Sequence, residues 1–188
     1  PDDVRYGTSP AEGLIQEGVT LLRDNNLFDA RQRLQSATTQ DGKSATAWYN
    51  LALVQYRLGS PDDALQSAQK AVELNPTYAR AGVLLSVLHL RRGDAGAAVD
   101  AADKMLQKRP ADVMLLGAKT RALTEQKEYQ RALDTGIQAL KLDPDNPETL
   151  RYIAEAYLGL GREGLAKLSL ERAYEMYTGD VEPETGAA

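Results

Sequence analysis

Three glycines near the end of the chain have the spacing of a dinucleotide-binding loop. Gly159, Gly161 and Gly164 match the pattern Gly-x-Gly-x-x-Gly, in which backbone amides at the start of a helix meet a pyrophosphate. That loop must follow a β-strand, whereas these glycines follow the helix-favouring segment Ile-Ala-Glu-Ala-Tyr-Leu. We therefore interpret them as part of a turn between two helices, and we expect no nucleotide cofactor.

The other residue types that perform catalysis are too few or too scattered to form a site. The chain has one histidine, His89, and no cysteine, which excludes disulfides, thiolate-bound metal and a histidine metal site. Its 27 Asp and Glu residues are spread over the chain and mark no acid–base pair. We expect His89 to be a packed, hydrogen-bonded core residue. We predict that the chain is not an enzyme and holds no metal or cofactor.

The composition favours helices and argues against two classes of partner. The 188 residues are 43% hydrophobic but only 6% aromatic, with many helix-forming Ala, Leu, Glu, Arg and Gln residues. A net charge of −5 argues against a dedicated nucleic-acid binder, which needs a basic face. No apolar run approaches the roughly 18 to 20 residues that cross a bilayer, so we expect no membrane insertion. Because the chain starts at Pro1, we expect that its natural N-terminus was removed.

The strongest signal is an internal repeat of 34 residues, marked by Pro76, Pro110 and Pro144. The same interval aligns five alanines, five residues at a mid-repeat turn, and five mostly small residues. These columns are Ala30, Ala64, Ala98, Ala132, Ala166; Asn25, Gly59, Gly93, Lys127, Gly161; and Gly18, Ala52, Ser86, Thr120, Ala154. Small residues allow two helices to approach closely, and glycine accepts the positive φ of a tight turn. The pattern therefore predicts tandem helical hairpins.

The segment 45–78 closely resembles the tetratricopeptide repeat family. It carries that family's pattern in Trp48, Leu51, Ala52, Tyr56, Gly59, Ala64, Ala71 and Pro76. The resemblance extends over five units, 11–44, 45–78, 79–112, 113–146 and 147–180, between an N-terminal segment 1–10 and an acidic, disordered tail 181–188. It implies an all-α fold, a right-handed superhelical solenoid of antiparallel hairpins, and we expect Trp48 to lie in the core.

The resemblance also implies where a partner binds. In this family the first helix of each repeat lines a concave groove, and its inward positions fall on one helical face. On this basis we predict that the groove residues are Ile15, Val19, Leu22, Arg23, Tyr49, Asn50, Leu53, Tyr56, Arg57, Arg80, Val83, Leu84, Val87, Leu90, Arg91 and Arg121.

The predicted groove is apolar and basic in the first three repeats. One glutamate, Glu12, and the four arginines at positions 23, 57, 80 and 91 give it a charge of +3. We therefore expect a protein or peptide partner with an amphipathic segment, apolar on one face and acidic on the other. The alternative is that the arginines only stabilise helix C-termini.

The resemblance implies a non-catalytic scaffold for protein–protein interactions. Compact units rich in Ala and Gly favour a bacterial assembly factor of an envelope, secretion or motility machine, with periplasm and cytoplasm both compatible. The alternative is a recruitment module of a larger signalling or transferase protein. No pattern of a capping helix follows the C-terminal repeat, so we expect Tyr174, Met176 and Tyr177 to be partly exposed. We expect them simply to cap the stack of repeats; the alternatives are a weak self-association surface or a truncation.

Overall fold

The computed structural model describes residues 10–178, which form ten α-helices and no strand. The predicted all-α fold of helical hairpins is therefore confirmed. The helices are α1 Pro10–Arg23, α2 Leu27–Gln40, α3 Ala45–Arg57, α4 Pro61–Leu74, α5 Ala79–Arg91, α6 Ala95–Leu106, α7 Val113–Glu125, α8 Tyr129–Leu142, α9 Pro147–Gly159 and α10 Glu163–Thr178. Residues 1–9 and 179–188, which include most of the predicted N-terminal segment and the whole predicted tail 181–188, lie outside the described residues.

The turn inside each hairpin has one residue with positive φ. These residues are Asn25, Gly59, Gly93, Lys127 and Gly161, with φ between 61° and 78°. Because they are the five residues of the turn column in the sequence, the predicted turn positions are confirmed. Glycine adopts this conformation without steric cost, whereas Asn25 and Lys127 pay a small penalty there.

Three of the four links between the described hairpins are fixed by side-chain caps at the start of the following helix. Ser44, Asp112 and Asn146 accept hydrogen bonds from the backbone amides of the third residue beyond them, at 3.2, 3.1 and 2.9 Å. Such a cap satisfies one of the free amides of the first turn and contributes about 1 kcal/mol. The first helices of the second, fourth and fifth hairpins therefore begin where the sequence supplies an oxygen-bearing side chain.

The chain forms two compact units, Pro1–Leu88 and His89–Ala188. In unit 1, α1 packs on α2 and α3, and α3 packs on α2 and α4. Its core is built from Leu22, Ala30, Leu34, Leu51 and Val54. In unit 2, α7, α8 and α9 pack around a core of Ala98, Val99, Ala122, Leu123, Ala132, Leu133, Ile153 and Ala156. Alanines of the aligned columns are fully buried in both cores, which lets the helices approach closely.

Candidate functional site

In unit 1 the predicted groove residues divide into accessible and buried side chains. Val19 is 40% exposed, and the other accessible apolar residues are half-buried: Ile15, Tyr49, Leu53, Tyr56, Val83 and Val87. Together with the exposed Arg23, Arg57 and Arg80, they form what we call the first-helix face of unit 1. Leu22, Asn50 and Leu84 are only 7–8% exposed, so they support this face rather than offer contacts to a partner.

Asn50 illustrates that distinction. Its amide nitrogen donates a hydrogen bond to the backbone oxygen of Thr46, one turn earlier in α3, at 2.9 Å. The amide is thus used inside its own helix, and its remaining exposure is small. We therefore expect that Asn50 does not donate a hydrogen bond to a ligand.

Arg57 ties the first two hairpins together. Its guanidinium donates to the backbone oxygen of Leu22 and to Oδ1 of Asn25, both at 2.8 Å. Leu22 lies in the last turn of α1, where unpaired carbonyl groups and the helix dipole attract a cation. Arg57 therefore stabilises a helix C-terminus, as the alternative interpretation of the groove arginines proposes. That C-terminus is the end of α1 in the preceding hairpin and not the end of its own helix.

Two tyrosines and an arginine form an aromatic cluster at the beginning of α3 and α5. The rings of Tyr49 and Tyr78 lie 5.0 Å apart between centroids, at an angle of 55°. The Tyr78 hydroxyl is hydrogen-bonded with Thr46. Burial raises the pKa of both tyrosines above its usual value, against the opposing effect of the nearby Arg80 cation. Both hydroxyls therefore remain protonated at neutral pH and can donate hydrogen bonds.

Sequence reasoning missed Tyr78, although the repeat contains a signal that points to it. The equivalent positions in the other described links are Ser44, Asp112 and Asn146, which all cap the next helix. Tyr78 has no side-chain oxygen that can reach the first turn of α5, so the chain gives up a cap here and gains an aromatic contact. Tyr78 could have been identified from the sequence, because it is a residue that cannot cap at an aligned capping position, two residues before the predicted groove residue Arg80.

Three of the predicted groove residues belong to unit 2. Leu90 packs against the core of that unit, and Arg91 is exposed. The Arg121 guanidinium carbon lies 5.9 Å from the centroid of the Tyr152 ring, which Arg151 also approaches, at 4.4 Å. These arginines give unit 2 a local cation–aromatic cluster of its own.

The three glycines of the nucleotide-like motif lie in different surroundings, and two of them have a structural role. Gly159 lies against Tyr129, because an added Cβ would stand 2.4 Å from the ring. Gly161 has φ of +69° in the hairpin turn, and Gly164 has nothing within 4 Å of the position of an added Cβ. The motif begins at the last residue of α9 and ends in the first turn of α10, so the interpretation as a turn between two helices is confirmed.

His89 lies at the beginning of unit 2 and is half-buried rather than fully packed. Burial lowers its pKa below the usual value; the Asp94 carboxylate opposes this effect, and the Arg92 and Lys104 cations add to it. The folded protein therefore favours neutral His89. Stability from this preference is present above the pKa of the unfolded chain, about 6.5, and is lost as the pH falls through the lower pKa of the folded state.

We expect the Hε1 proton resonance of His89 to titrate below pH 6.5 in the folded protein. His89 is the single histidine, so one resonance reports it without ambiguity. Urea unfolding at pH 7.5 and 5.5 should then show a loss of stability at the lower pH that is smaller in His89→Leu, the residue found at the equivalent position 123. An identical pH dependence in both proteins would contradict this account.

Trp48 was predicted to lie in the core, and that prediction is only partly right. Its ring packs against the core of unit 1 but remains half-buried. The indole nitrogen donates to the backbone oxygen of Gly42 at 3.0 Å. This bond holds the indole at the surface, next to the link between α2 and α3.

Large apolar side chains are exposed on the last helix, α10. Tyr174 and Tyr177 are 69% and 61% exposed, and Leu165 and Leu168 are 45% and 64% exposed. Met176 is half-buried. At the position of Leu168 the four preceding repeats have Gln32, Gln66, Asp100 and Asp134. This helix thus presents leucine where its counterparts are polar.

Two kinds of site are absent from the described residues. Between residues 10 and 178, no three His, Asp or Glu side chains are grouped in a way that could hold a metal ion. In the same range, no helix combines the length and apolar character needed to span a membrane.

Several solved structures share this fold. A crystal structure of MamA matches 95% of this chain and 97% of its own, with a TM-score of 0.72 and 18% identity. YrrB, whose structure is described as that of a TPR protein with an unusual peptide-binding site, matches 88% of this chain and 86% of its own, with a TM-score of 0.67 and 17% identity. These likenesses concern the fold.

Curated relatives are much longer proteins, and the chain spans less than a third of their length. Protein O-mannosyl-transferase TMTC3 of Homo sapiens is 26% identical over 170 residues, 88% of this chain and 19% of the human protein. The cytochrome c-type biogenesis protein CycH of Rhizobium meliloti (strain 1021) is 36% identical over 121 residues, 57% of this chain and 29% of that protein.

Two observations assign the chain to a family: a match to a sequence profile and the geometry of the hairpins. The profile of the tetratricopeptide repeat matches residues 15–79, 56–113 and 83–147, which together cover more than half of the chain. The helices in these ranges pair as hairpins with a positive-φ turn. The chain belongs to the tetratricopeptide repeat family.

Proposed function

We propose that this protein is a non-catalytic scaffold whose unit 1 binds an amphipathic polypeptide segment along its first-helix face. The observation that supports this proposal most is that apolar side chains predicted for the groove remain accessible on α1, α3 and α5, with Arg23 and Arg80 exposed on the first and last of these helices. The peptide-binding site named for YrrB shows that a protein of this fold binds peptide, and it supports the proposal by analogy.

The apolar part of the face sets an upper limit on affinity. Burying about 400 Å² of apolar surface at about 25 cal/mol per Å² gives roughly 10 kcal/mol before costs. Association and the ordering of side chains cancel much of this gain. Because Leu22 and Leu84 are already buried, the accessible area is smaller than the sequence suggested. We therefore expect a dissociation constant of about 1 μM or weaker.

The charge of the face favours an acidic partner. Within unit 1, Glu12, Arg23, Arg57 and Arg80 give a local charge of +2 on a chain with a net charge of −5. Arg57 bonds only to uncharged groups, so its positive charge is not neutralised by these contacts. A basic patch on an acidic protein accelerates the association of an acidic segment at low salt, and added salt screens this effect.

A pair of matched peptides tests the proposal. Each has 15 residues with leucines at helical spacing; one carries Glu at every polar position of the opposite face, and the other Lys. We expect the Glu peptide to bind unit 1 at least about tenfold more tightly at low salt. Isothermal titration calorimetry measures both affinities.

The variant Val19→Glu tests whether the Glu peptide binds at the first-helix face. Val19 is the most exposed apolar residue of the face, so the fold should tolerate the change. We expect it to weaken binding of the Glu peptide about tenfold or more, since an acid then opposes the ligand at the apolar row. Equal binding of the two peptides, or unchanged affinity in Val19→Glu, would contradict the proposal.

The cellular role that we propose is the assembly of a bacterial multiprotein machine of the envelope, secretion or motility type. The similarity to CycH, a protein named for cytochrome c-type biogenesis, supports a role in assembly. The alternative is a recruitment module of a larger protein, which the similarity to a part of the transferase TMTC3 favours. Sequencing the complete gene distinguishes these roles, because only the second requires a catalytic domain in the same chain.

Weak self-association through α10 is a further part of the proposal. Its support is the exposure of Leu165, Leu168, Tyr174 and Tyr177. Exposed apolar patches of this kind mark interaction surfaces. Sedimentation velocity over a concentration series should show a rising average mass that Leu168→Gln reduces. A constant monomer mass would remove this part of the proposal.

A further inference from the structure

Unit 1 has a cleft on the side formed by its second helices, α2 and α4, which we call the outer cleft. Its volume is about 580 Å³, within the range of roughly 300–1,000 Å³ of ligand-binding clefts. The floor is formed by Trp48, Leu51 and Gln55 of α3. The first-helix face does not include any of these residues.

Two buried residues of the outer cleft, Gln55 and Thr38, are polar where unit 2 is apolar. Gln55, Thr38 and Ser67 line the cleft and are at most 9% exposed. In the orientation that satisfies its hydrogen bonds, the Gln55 amide nitrogen donates to Ser67 Oγ at 2.7 Å. The residues equivalent to Gln55 and Thr38, two repeats later, are Leu123 and Leu106. These buried polar groups are paired, because the Gln55 amide also donates to the backbone oxygens of Asp63 and Leu51, and Thr38 donates to that of Gln35. The lining of the outer cleft is thus polar at these two positions without leaving an unsatisfied group.

The equivalent space in unit 2 is crossed by an ion pair. Lys119 of α7 approaches Asp103 of α6, with 2.7 Å between Nζ and Oδ1. The positions equivalent to Lys119 and Asp103 in unit 1 are Leu51 and Gln35, two repeats earlier. They cannot form this bridge, and both line the outer cleft. Unit 1 therefore keeps a cleft open at a place where unit 2 has a bridge.

The walls carry groups that match the chemistry of a peptide backbone. Gln35 on α2 and Gln66 on α4 are exposed, and their amides both donate and accept hydrogen bonds. The exposed Thr39 hydroxyl already donates to the backbone oxygen of Gln35 at 2.9 Å, so it can only accept. The two charged lining residues, Asp63 and Lys70, have opposite signs, so the cleft has no net charge. This pattern suits an uncharged ligand with alternating N–H and C=O groups.

The length of the cleft fits a short stretch of extended chain. Its lining on α4 runs from Asp63 to Lys70, which is roughly 10 Å at about 1.5 Å per residue of helix. An extended segment of about three residues, at about 3.3 Å per residue, has that length. The half-buried Trp48 provides an apolar contact for one of its side chains, and the almost fully buried Leu51 supports the cleft beneath it.

We propose that the outer cleft is a second binding site, which holds an extended, uncharged polypeptide segment through hydrogen bonds from Gln35 and Gln66 to its peptide groups and an apolar contact with Trp48. The site is separate from the amphipathic segment proposed for the first-helix face, and either one can exist without the other.

The test uses a displayed library of random seven-residue peptides as the probe. The whole protein is panned against the library, and clones are counter-selected on Gln35→Asp/Leu51→Lys, which copies the pair that crosses the equivalent space in unit 2. We expect the remaining clones to be enriched in uncharged residues. The corresponding synthetic peptides should change the fluorescence of Trp48, the single tryptophan of the chain, at concentrations near their dissociation constants.

Two further variants keep the test decisive. Gln66→Leu changes only an exposed wall residue of α4, so it should fold even where the double variant does not, and we expect a loss of affinity of about tenfold. Val19→Glu, on the first-helix face, should leave the affinity of these peptides unchanged. Clones that bind Gln66→Leu as tightly as the native protein, or that depend on Val19, would overturn the proposal.

Discussion

Replacing Gly136 with leucine is expected to lower the free energy of unfolding by about 2–3 kcal/mol, because the side chain has no space between α8 and its neighbours. A Cβ at Gly136 would stand 2.6 Å from Cγ1 of Ile153 and 3.2 Å from Cγ2 of Thr120. Both of those residues are almost fully buried, at 3% and 0% exposure, so neither can move into solvent. Urea unfolding followed by circular dichroism measures the change.

A second substitution should recover part of that loss. In the first hairpin the equivalent residues of Thr120 and Gly136 are Gly18 and Leu34, so the large and the small residue are exchanged. A Cβ on Gly18 would stand 2.6 Å from Leu34, which shows that Leu34 fits only because its partner is glycine. We therefore expect Thr120→Gly/Gly136→Leu to be more stable than Gly136→Leu alone.

A glycine without close neighbours provides the control. Gly13 lies in α1 and has nothing within 4 Å of the position of an added Cβ. Gly13→Ala should raise stability by up to about 1 kcal/mol, since alanine favours the helix. If Gly136→Leu left stability unchanged, or the double variant were no better than the single one, the size matching between paired helices would be wrong.

The variant Tyr78→Asp is expected to weaken binding of the Glu peptide by about 30-fold or more. It removes the ring that packs on Tyr49 of the first-helix face, and it adds a negative charge that repels the ligand. Aromatic anchors often contribute 2 kcal/mol or more to affinity, about 30-fold. The fold should lose about 1–2 kcal/mol of stability, because the lost ring pair costs about 0.5–1.5 kcal/mol in addition to its buried area, and a cap on α5 like that of Asp112 on α7 restores only about 1 kcal/mol.

The variant Tyr78→Phe separates the ring from the hydroxyl. It keeps the contact with Tyr49 and removes only the hydrogen bond with Thr46. We expect it to retain most of the affinity, as measured by calorimetry with the same peptide. Native affinity in Tyr78→Asp would show that the aromatic cluster is part of the fold and not of the binding face.

The hairpins were predictable from the sequence because their requirements are local and repeated. A turn of this type needs one residue with positive φ, and a column of glycines with Asn25 and Lys127 marked all five. The closely packed alanines were equally visible, since a small residue recurs wherever two helices touch. A single position seen once, such as Tyr78, was not.

Details of the candidate site depended on contacts between residues distant in sequence. Arg57 reaches the backbone of Leu22, 35 residues earlier, and no motif identifies which carbonyl a long side chain will meet. Trp48 matched the family's core position, yet its indole is held at the surface by Gly42. In the same way, spacing placed Leu22 and Leu84 on the groove side, but only packing determined that they are buried.

Photo-cross-linking from position 19 tests the central claim most directly. Val19 is replaced by benzoylphenylalanine in the cells that produce the protein, and Gln32, an exposed residue of α2, is replaced in a parallel control. Mass spectrometry then identifies the cross-linked segments. We expect position 19 to capture segments with apolar residues every three or four positions and acidic residues on the opposite face, and we expect position 32 not to capture them. The same segments from both positions, or segments without acidic residues, would contradict the account.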